Sequence, residues 1–136
     1  MKKLLFLGAI TASLFADSLI NPSELPQNIK DFIKTHYANE NIAKAEKDWD
    51  SYEIKLNNGT ELDFTKSGEL KEIDAKYSPI PDTILPELTK AAKESQKGAN
   101  LMEIEKEWNG YKLKFSNNYK VYIDSKGVVT KTILDD

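Results

Sequence analysis

The sequence contains an internal repeat, and this repeat constrains the fold more than any other feature. Residues 46–68 align with residues 105–127 at a constant offset of 59 positions and share seven identities. Composition alone would give about one or two. The identities include Trp49 and Trp108, Tyr52 and Tyr111, and the glycine that closes each copy. A duplication of this length predicts one supersecondary unit built twice.

The first sixteen residues predict a secretory signal peptide. Lys2 and Lys3 precede an uncharged, mostly apolar run over residues 4–15, and Ala16 stands before the expected cleavage point. A spanning helix needs about 20 apolar residues, so this run favours a cleaved signal over the alternative of a membrane anchor. We therefore expect a periplasmic or secreted protein, free of the membrane after cleavage, with one mature domain over residues 17–136.

Composition argues against a nucleic-acid partner. Removing the signal leaves 17 of the 19 lysines against 22 acidic residues, which is a net charge of −5. The chain has no arginine, so it lacks the planar, bidentate group that best reads phosphates and bases. It also has no cysteine. An exported domain of this kind must therefore be stabilised by its apolar core without disulfides.

Each repeat begins with a segment that has helical character. Leu-Pro pairs stand at residues 25–26 and 85–86, and proline is tolerated in a first helical turn. In the first copy, apolar residues follow at helical spacing (Ile29, Phe32, Ile33 and Tyr37). The apolar stripe of the second copy is thinner. Between the copies, Pro79 and Pro81 predict an extended connection over residues 74–84.

The residues after each helix alternate between apolar and polar, which predicts β-hairpins with one wet face. A three-residue turn with Gly59 left-handed places Tyr52 opposite Phe64 and Ile54 opposite Leu62, so all apolar side chains share one face. The second copy pairs in the same way (Tyr111 with Ile123, Leu113 with Val121). With further strands near residues 41–47, 70–73, 100–106 and 128–133, each unit is one helix followed by four antiparallel strands. The predicted class is α+β, with repeats over residues 25–74 and 85–133.

This order of motifs resembles the PepSY-like, β-lactamase-inhibitor-like family of exported bacterial proteins. The shared pattern is Leu-Pro, a helix, Trp-x-x-Tyr with alternating apolar residues, an Asn-Asn-Gly turn and a glycine-closed strand, all duplicated behind a signal. The resemblance implies two helix-plus-sheet repeats sharing one long antiparallel sheet, with both helices on one face. Asn118 replaces the turn glycine in the second copy, which is the more divergent one. The family offers an inhibitory or protein-binding role only by analogy.

No set of residues predicts an enzyme, a metal site or a cofactor. His36 is the only histidine and there is no thiol, so neither nucleophilic catalysis nor a zinc site has its usual partners. We expect His36 to lie at the C-terminal end of the first helix, where the helix dipole favours it. Acidic pairs such as Glu61 and Asp63 alternate along wet strands, and such residues usually serve solvation.

Two features remain as candidate partner-binding sites. The favoured expectation for Trp49 and Trp108 is that they cap the core, and the alternative is that they are exposed anchors of an interface. The outward sheet face differs between copies, with Glu53, Lys55, Glu61 and Asp63 in the first and Lys112, Lys114, Lys120 and Tyr122 in the second. Lys114 faces Lys120, which is unfavourable unless an acidic group lies over the pair.

These observations predict a non-enzymatic binding module that engages another exported protein through its open sheet face. The residues expected to contribute are Lys112, Lys114, Lys120, Tyr122 and Trp108. The alternative for the lysines is that they are solvated side chains that only keep the sheet soluble. The alternative function is a carrier or sensor of a small ligand or an anionic envelope component, which would need a pocket between the helices and the sheet.

Overall fold

Nine antiparallel strands form a single sheet in which each strand pairs with its neighbours in the sequence. The computed structural model describes residues 18–135, so the predicted signal segment lies outside the described residues. The strands are β1 (Ser18–Leu19), β2 (Ile42–Lys47), β3 (Ser51–Leu56), β4 (Glu61–Thr65), β5 (Leu70–Asp74), β6 (Leu101–Glu107), β7 (Gly110–Phe115), β8 (Tyr119–Asp124) and β9 (Val129–Leu134). The helices are α1 (Gln27–His36) and α2 (Pro86–Ser95), and a 3₁₀ turn covers Pro22–Glu24.

The predicted α+β architecture of two helix-plus-four-strand units is confirmed, with one correction to the strand count. The sequence pattern predicts eight strands, whereas the described residues form nine. The additional strand, β1, precedes the first repeat and pairs with the end of β2, where Ser18 lies opposite Lys47 and Leu19 opposite Glu46. A two-residue strand is too short to produce a periodic signal, so the alternation of side chains could not reveal it.

The predicted hairpin register is confirmed in both copies. Tyr52 lies opposite Phe64 and Ile54 opposite Leu62, while Tyr111 lies opposite Ile123 and Leu113 opposite Val121. The third turn residue is left-handed in each hairpin, with φ of 93° at Gly59 and 69° at Asn118. Asparagine is among the few side chains that adopt this region readily, so the second hairpin keeps the same turn without a glycine.

The core is a layer between one face of the sheet and the two helices. Seven buried residues form a continuous row across the strands, paired in register from β2 to β8 (Ala45, Ile54, Leu62, Ile73, Ile104, Leu113 and Val121). Phe32 of α1 meets Phe64 edge-on, with ring centroids 5.3 Å apart. The first turn of α2 lies against Gly127. Both helices thus cover one face, and no segment within residues 18–135 covers the other face of the sheet.

The connection between the copies contains neither helix nor strand between Asp74 and Pro86, in agreement with its two prolines. It is nevertheless part of the core, because Ala75, Ile80 and Ile84 are buried. The N–H groups of Ala75 and Ile80 donate to the carbonyls of Met102 and Leu101, which attaches the linker to the start of β6. The linker therefore fixes the second repeat against the first.

Candidate functional site

Both tryptophans are exposed, so the favoured expectation that they cap the core is wrong. Trp49 is 81% exposed and Trp108 is 96% exposed. Trp49 lies in the turn between β2 and β3, and Trp108 lies in the turn between β6 and β7. Because alternate strands of an antiparallel sheet run in the same direction, the two turns lie at the same end. We call this end of the sheet, defined by Trp49 and Trp108, the tryptophan end.

The reason for this error lies in where each strand ends. Trp49 is flanked by Asp48 and Asp50, and Trp108 is followed by Asn109, all of which favour turns. The alternation that directs Tyr52 and Tyr111 inward begins only after those turns. Both tryptophans lie beyond the strand residues that alternate toward the core, so their side chains remain in solvent. The flanking turn residues were the signal that could have corrected the prediction.

The predicted facing of Lys114 and Lys120 is confirmed, and the acid that lies over this pair comes from the chain itself. The Oδ2 atom of Asp135 is 3.5 Å from the Lys114 Nζ and 3.4 Å from the Lys120 Nζ. A hydrogen bond from Lys120 is the main cause that lowers the pKa of the Asp135 carboxyl. The like-charge pair is therefore compensated within the chain.

The remaining candidates on the outward face also have partners within the chain. The Nζ of Lys112 is 2.9 Å from the Oε1 of Glu105, and this hydrogen bond raises the pKa of the lysine. The ring of Tyr122 carries the ammonium of Lys131 above it, 4.7 Å from the ring centroid. The structure thus brings Lys112, Lys114, Lys120 and Tyr122 onto two adjacent strands, as predicted, and Trp108 onto the turn beside them.

An acidic row crosses the other part of the outward face, and sequence reasoning missed most of it. Strand pairing places five carboxylates side by side from β2 to β6 (Glu46, Glu53, Asp63, Glu72 and Glu105). We call these five residues the acidic row. Burial is the main cause that raises the pKa of the Glu72 carboxyl, and the charges of Asp63 and Glu105 raise it further.

The change of charge on the outward face does not coincide with the boundary between the repeats. The acidic row continues from the first copy into β6 of the second, and the lysines begin at β7 with Lys112. The predicted contrast between an acidic and a basic copy is therefore correct for the two hairpins that carry it. The boundary is shifted by one strand because β6 contributes Glu103 and Glu105 to the acidic side.

A shallow hollow lies beside Trp108 on the charged part of the sheet. Its volume is about 330 Å³, and it is lined by Trp108 and charged residues of β5 and β6 (Lys71, Glu72, Glu105, Lys106 and Glu107). An exposed indole at the edge of a charged hollow combines a large apolar surface with groups that can orient a polar ligand. This combination is typical of protein interfaces rather than of catalytic pockets.

His36 ends α1, as predicted, and its ring is held by neighbouring side chains. Its Nδ1 lies 2.7 Å from the Thr83 Oγ1, and its ring centroid lies 4.6 Å from that of Phe32. Burial lowers the pKa of the imidazole. These contacts give His36 a structural role between α1 and the linker. Within residues 18–135, no group of three or more histidine, cysteine, aspartate or glutamate residues is arranged to hold a metal ion.

An apolar groove lies between α1 and β2. Its volume is about 650 Å³, and its lining includes Ile33 and Ile42 together with the lysines of α1, Lys30 and Lys34. Tyr37 also borders it, with a buried hydroxyl that has no hydrogen-bond partner among the described residues. Burial raises the pKa of that hydroxyl to about 12. The groove is a candidate location for the alternative ligand-carrier function.

Comparison with solved structures finds proteins of the same fold that are described as periplasmic. A "putative calcium-regulated periplasmic protein" from Bacteroides thetaiotaomicron is 28% identical, with a TM-score of 0.80, and the match covers 86% of this chain and 96% of that one. A "putative periplasmic protein from DUF2874 family" from Bacteroides vulgatus is 32% identical, with a TM-score of 0.78 over 86% and 96% of the two chains. A second protein of unknown function from that organism is 32% identical, with a TM-score of 0.75 over 87% and 99%.

Comparison with curated proteins gives no match. A family model does match, and it matches twice, over residues 16–70 and over residues 50–131. The description of that family is "Putative beta-lactamase-inhibitor-like, PepSY-like". The two matches overlap and together span both repeats, in agreement with the duplicated architecture. The chain belongs to the PepSY-like, β-lactamase-inhibitor-like family.

Proposed function

We propose that this protein is an exported, non-enzymatic module that binds another exported protein through the tryptophan end and the adjoining outward sheet face. The observation that carries the proposal is the exposure of Trp49 and Trp108 at equivalent turns of the two repeats. Tryptophan is a residue type that dominates the energetics of protein interfaces. Two exposed indoles at the same end of one sheet offer a partner two anchors.

The charged face beside the tryptophan end supports recognition of a protein surface. The acidic row lies next to a basic strand pair that carries Lys112, Lys114 and Lys120. Charge arranged in this way orients a partner and excludes partners of the wrong polarity. The ion pairs of these lysines with Glu105 and Asp135 hold the ammonium groups in place before a partner arrives. Less side-chain entropy is then lost on binding.

The proposed compartment is the periplasm. The relatives of similar structure are described as periplasmic proteins. The first sixteen residues of this chain have the pattern of a secretory signal. No helix within residues 18–135 is both long and apolar enough to cross a membrane. An exported protein is the partner class that this compartment makes available.

The proposal is tested by capture from an exported-protein fraction, followed by affinity measurement with the captured partner. We expect Trp108→Ala to weaken binding at least about 30-fold, because removal of a central aromatic anchor commonly costs about 2 kcal/mol or more. The matched control is Tyr77→Ala, which removes an aromatic side chain of similar exposure from the turn-like linker. One relative is described as calcium-regulated, so binding is measured both with calcium and with a chelator.

The lysines are tested with a triple variant in which Lys112, Lys114 and Lys120 become glutamine. We expect weaker binding and a smaller dependence on salt, because fewer charges then face the partner. The control is a triple glutamine variant at three other exposed lysines, Lys90, Lys97 and Lys126. This variant removes the same amount of charge. Equal affinity of the wild type, Trp108→Ala and both triple variants would refute the proposed surface.

A further inference from the structure

The two edges of the sheet are not equally covered. On one edge, β1 pairs with β2, and the N–H of Ile20 continues this pairing by donating to the carbonyl of Ala45 at 3.0 Å. On the other edge, five residues of β9 pair with β8, and no described segment pairs with the far side of β9. An uncovered edge strand is a template for the addition of another strand.

The backbone groups that β9 offers can be identified from its pairing with β8. The N–H of Asp135 donates to the carbonyl of Asn118 at 2.8 Å. In an antiparallel ladder, successive residues direct their N–H and C=O groups to opposite sides. Lys131 and Ile133 therefore direct theirs toward β8, as Asp135 does. Thr132 and Leu134 direct theirs away from the sheet.

We propose that β9 pairs antiparallel with β9 of a second copy of this chain, about a two-fold axis that places Ile133 opposite Ile133. In this register, Thr132 of each copy exchanges backbone hydrogen bonds with Leu134 of the other. Ile133 is 40% exposed and Leu134 is 52% exposed, so pairing covers apolar surface that is now in water. The result is a continuous sheet built from two chains.

Side-chain charge selects this register over its neighbours. With Ile133 opposite itself, Lys131 lies opposite Asp135 of the second copy, so the dimer gains two cross-strand ion pairs. If the strands shift so that Thr132 lies opposite Thr132 of the second copy, Lys131 lies opposite Ile133 and has no acidic partner. A further shift in the same direction places the two Lys131 side chains opposite each other. Both ion pairs of Asp135 within its own chain use Oδ2, which leaves Oδ1 to accept from Lys131 of the second copy.

The inference goes beyond the proposed function, because it uses neither the tryptophan end nor the candidate lysines as contacts. The test is sedimentation equilibrium of the mature chain up to roughly 1 mM, since a single strand pair is a small interface and its association should be weak. We expect the weight-average mass to rise with concentration toward twice the monomer mass. A mass that stays monomeric over the whole range would overturn the proposal.

Backbone pairing is tested with Thr132→Pro. Proline removes the N–H that points away from β8 and blocks a second strand, while the hydrogen bonds between β8 and β9 are kept. We expect this variant to be monomeric at every concentration. The matched control is Thr132→Val, which keeps the N–H and should associate like the wild type. Circular dichroism verifies that both variants are folded. Association of Thr132→Pro at wild-type strength would overturn the proposal.

The register is tested by a charge exchange. In Lys131→Glu, an acidic side chain lies opposite Asp135 of the second copy at both cross-strand pairs. We expect the association constant to fall at least about 5-fold, which is the scale of a cross-strand charge interaction. Lys131→Gln, which removes the positive charge without adding an acidic group, should lower the association constant by less. The control is Lys126→Glu, which makes the same charge change away from β9. An unchanged constant for Lys131→Glu would overturn the register.

Discussion

Replacing Phe64 by alanine is expected to lower the free energy of unfolding by about 3 to 5 kcal/mol. Phe64 is 1% exposed and lies on β4, and its ring meets that of Phe32 of α1 edge-on. Truncation removes the contact between the first helix and the sheet and leaves a cavity that the paired strands cannot close. Urea unfolding followed by circular dichroism measures the loss.

The matched comparison for Phe64→Ala is Trp49→Ala. Trp49 is the larger side chain, but it is 81% exposed, so its removal should change the free energy of unfolding by no more than about 0.5 kcal/mol. The pair of variants separates a core aromatic from an exposed one within the same repeat. A loss at Trp49 that matched the loss at Phe64 would show that the indole is packed in the core.

Replacing Gly127 by alanine is expected to lower the free energy of unfolding by about 2 to 4 kcal/mol. Gly127 has φ of 85°, which an alanine adopts only with strain. A Cβ at this position would lie 2.9 Å from the carbonyl oxygen of Leu88 and 3.2 Å from its Cα. Both atoms belong to the backbone of α2, so the clash cannot be relieved by a rotamer change and the helix must move away from the sheet.

Gly98→Ala isolates the conformational part of this cost. Gly98 has φ of 86°, almost the same as Gly127, but a Cβ there would meet no atom within 4 Å. We expect a loss of about 1 to 2 kcal/mol, which is the cost of a left-handed alanine alone. Thermal or urea unfolding of the two variants gives the difference. Equal losses at Gly127 and Gly98 would mean that α2 does not pack on the turn as described.

Much of the fold could be predicted because local pattern and strand pairing agree in each hairpin. The three-residue turn at Gly59 is the one that places the apolar residues of both strands of the hairpin on the same face. The second copy requires the same turn, although its residues differ. Such a register is strongly specified, since a slip by one residue would expose the whole apolar set. The ninth strand could not be predicted in this way, because an alternation of side chains cannot be recognised over only two residues.

The candidate site was less predictable because it depends on contacts between distant parts of the chain. The acidic row needs the pairing of β4 with β5, whose register shifts between Asp63 and Phe64. It also needs the pairing of β5 with β6, which are joined by the long linker and α2 rather than by a hairpin. Asp135 reaches Lys114 and Lys120 only because β9 returns alongside β8. The prediction for the tryptophans was wrong because it treated Trp49 and Trp108 as the first residues of β3 and β7. Both residues lie in the turns before those strands.

Both tryptophans stand in solvent at one end of the sheet, where a partner can reach them. Acrylamide quenching of tryptophan fluorescence tests it most directly, with Trp49→Phe and Trp108→Phe each leaving a single indole to report. We expect each native indole to be quenched nearly as efficiently as in the urea-unfolded chain, because neither side chain is covered. Strong protection of either indole in the native protein would contradict it.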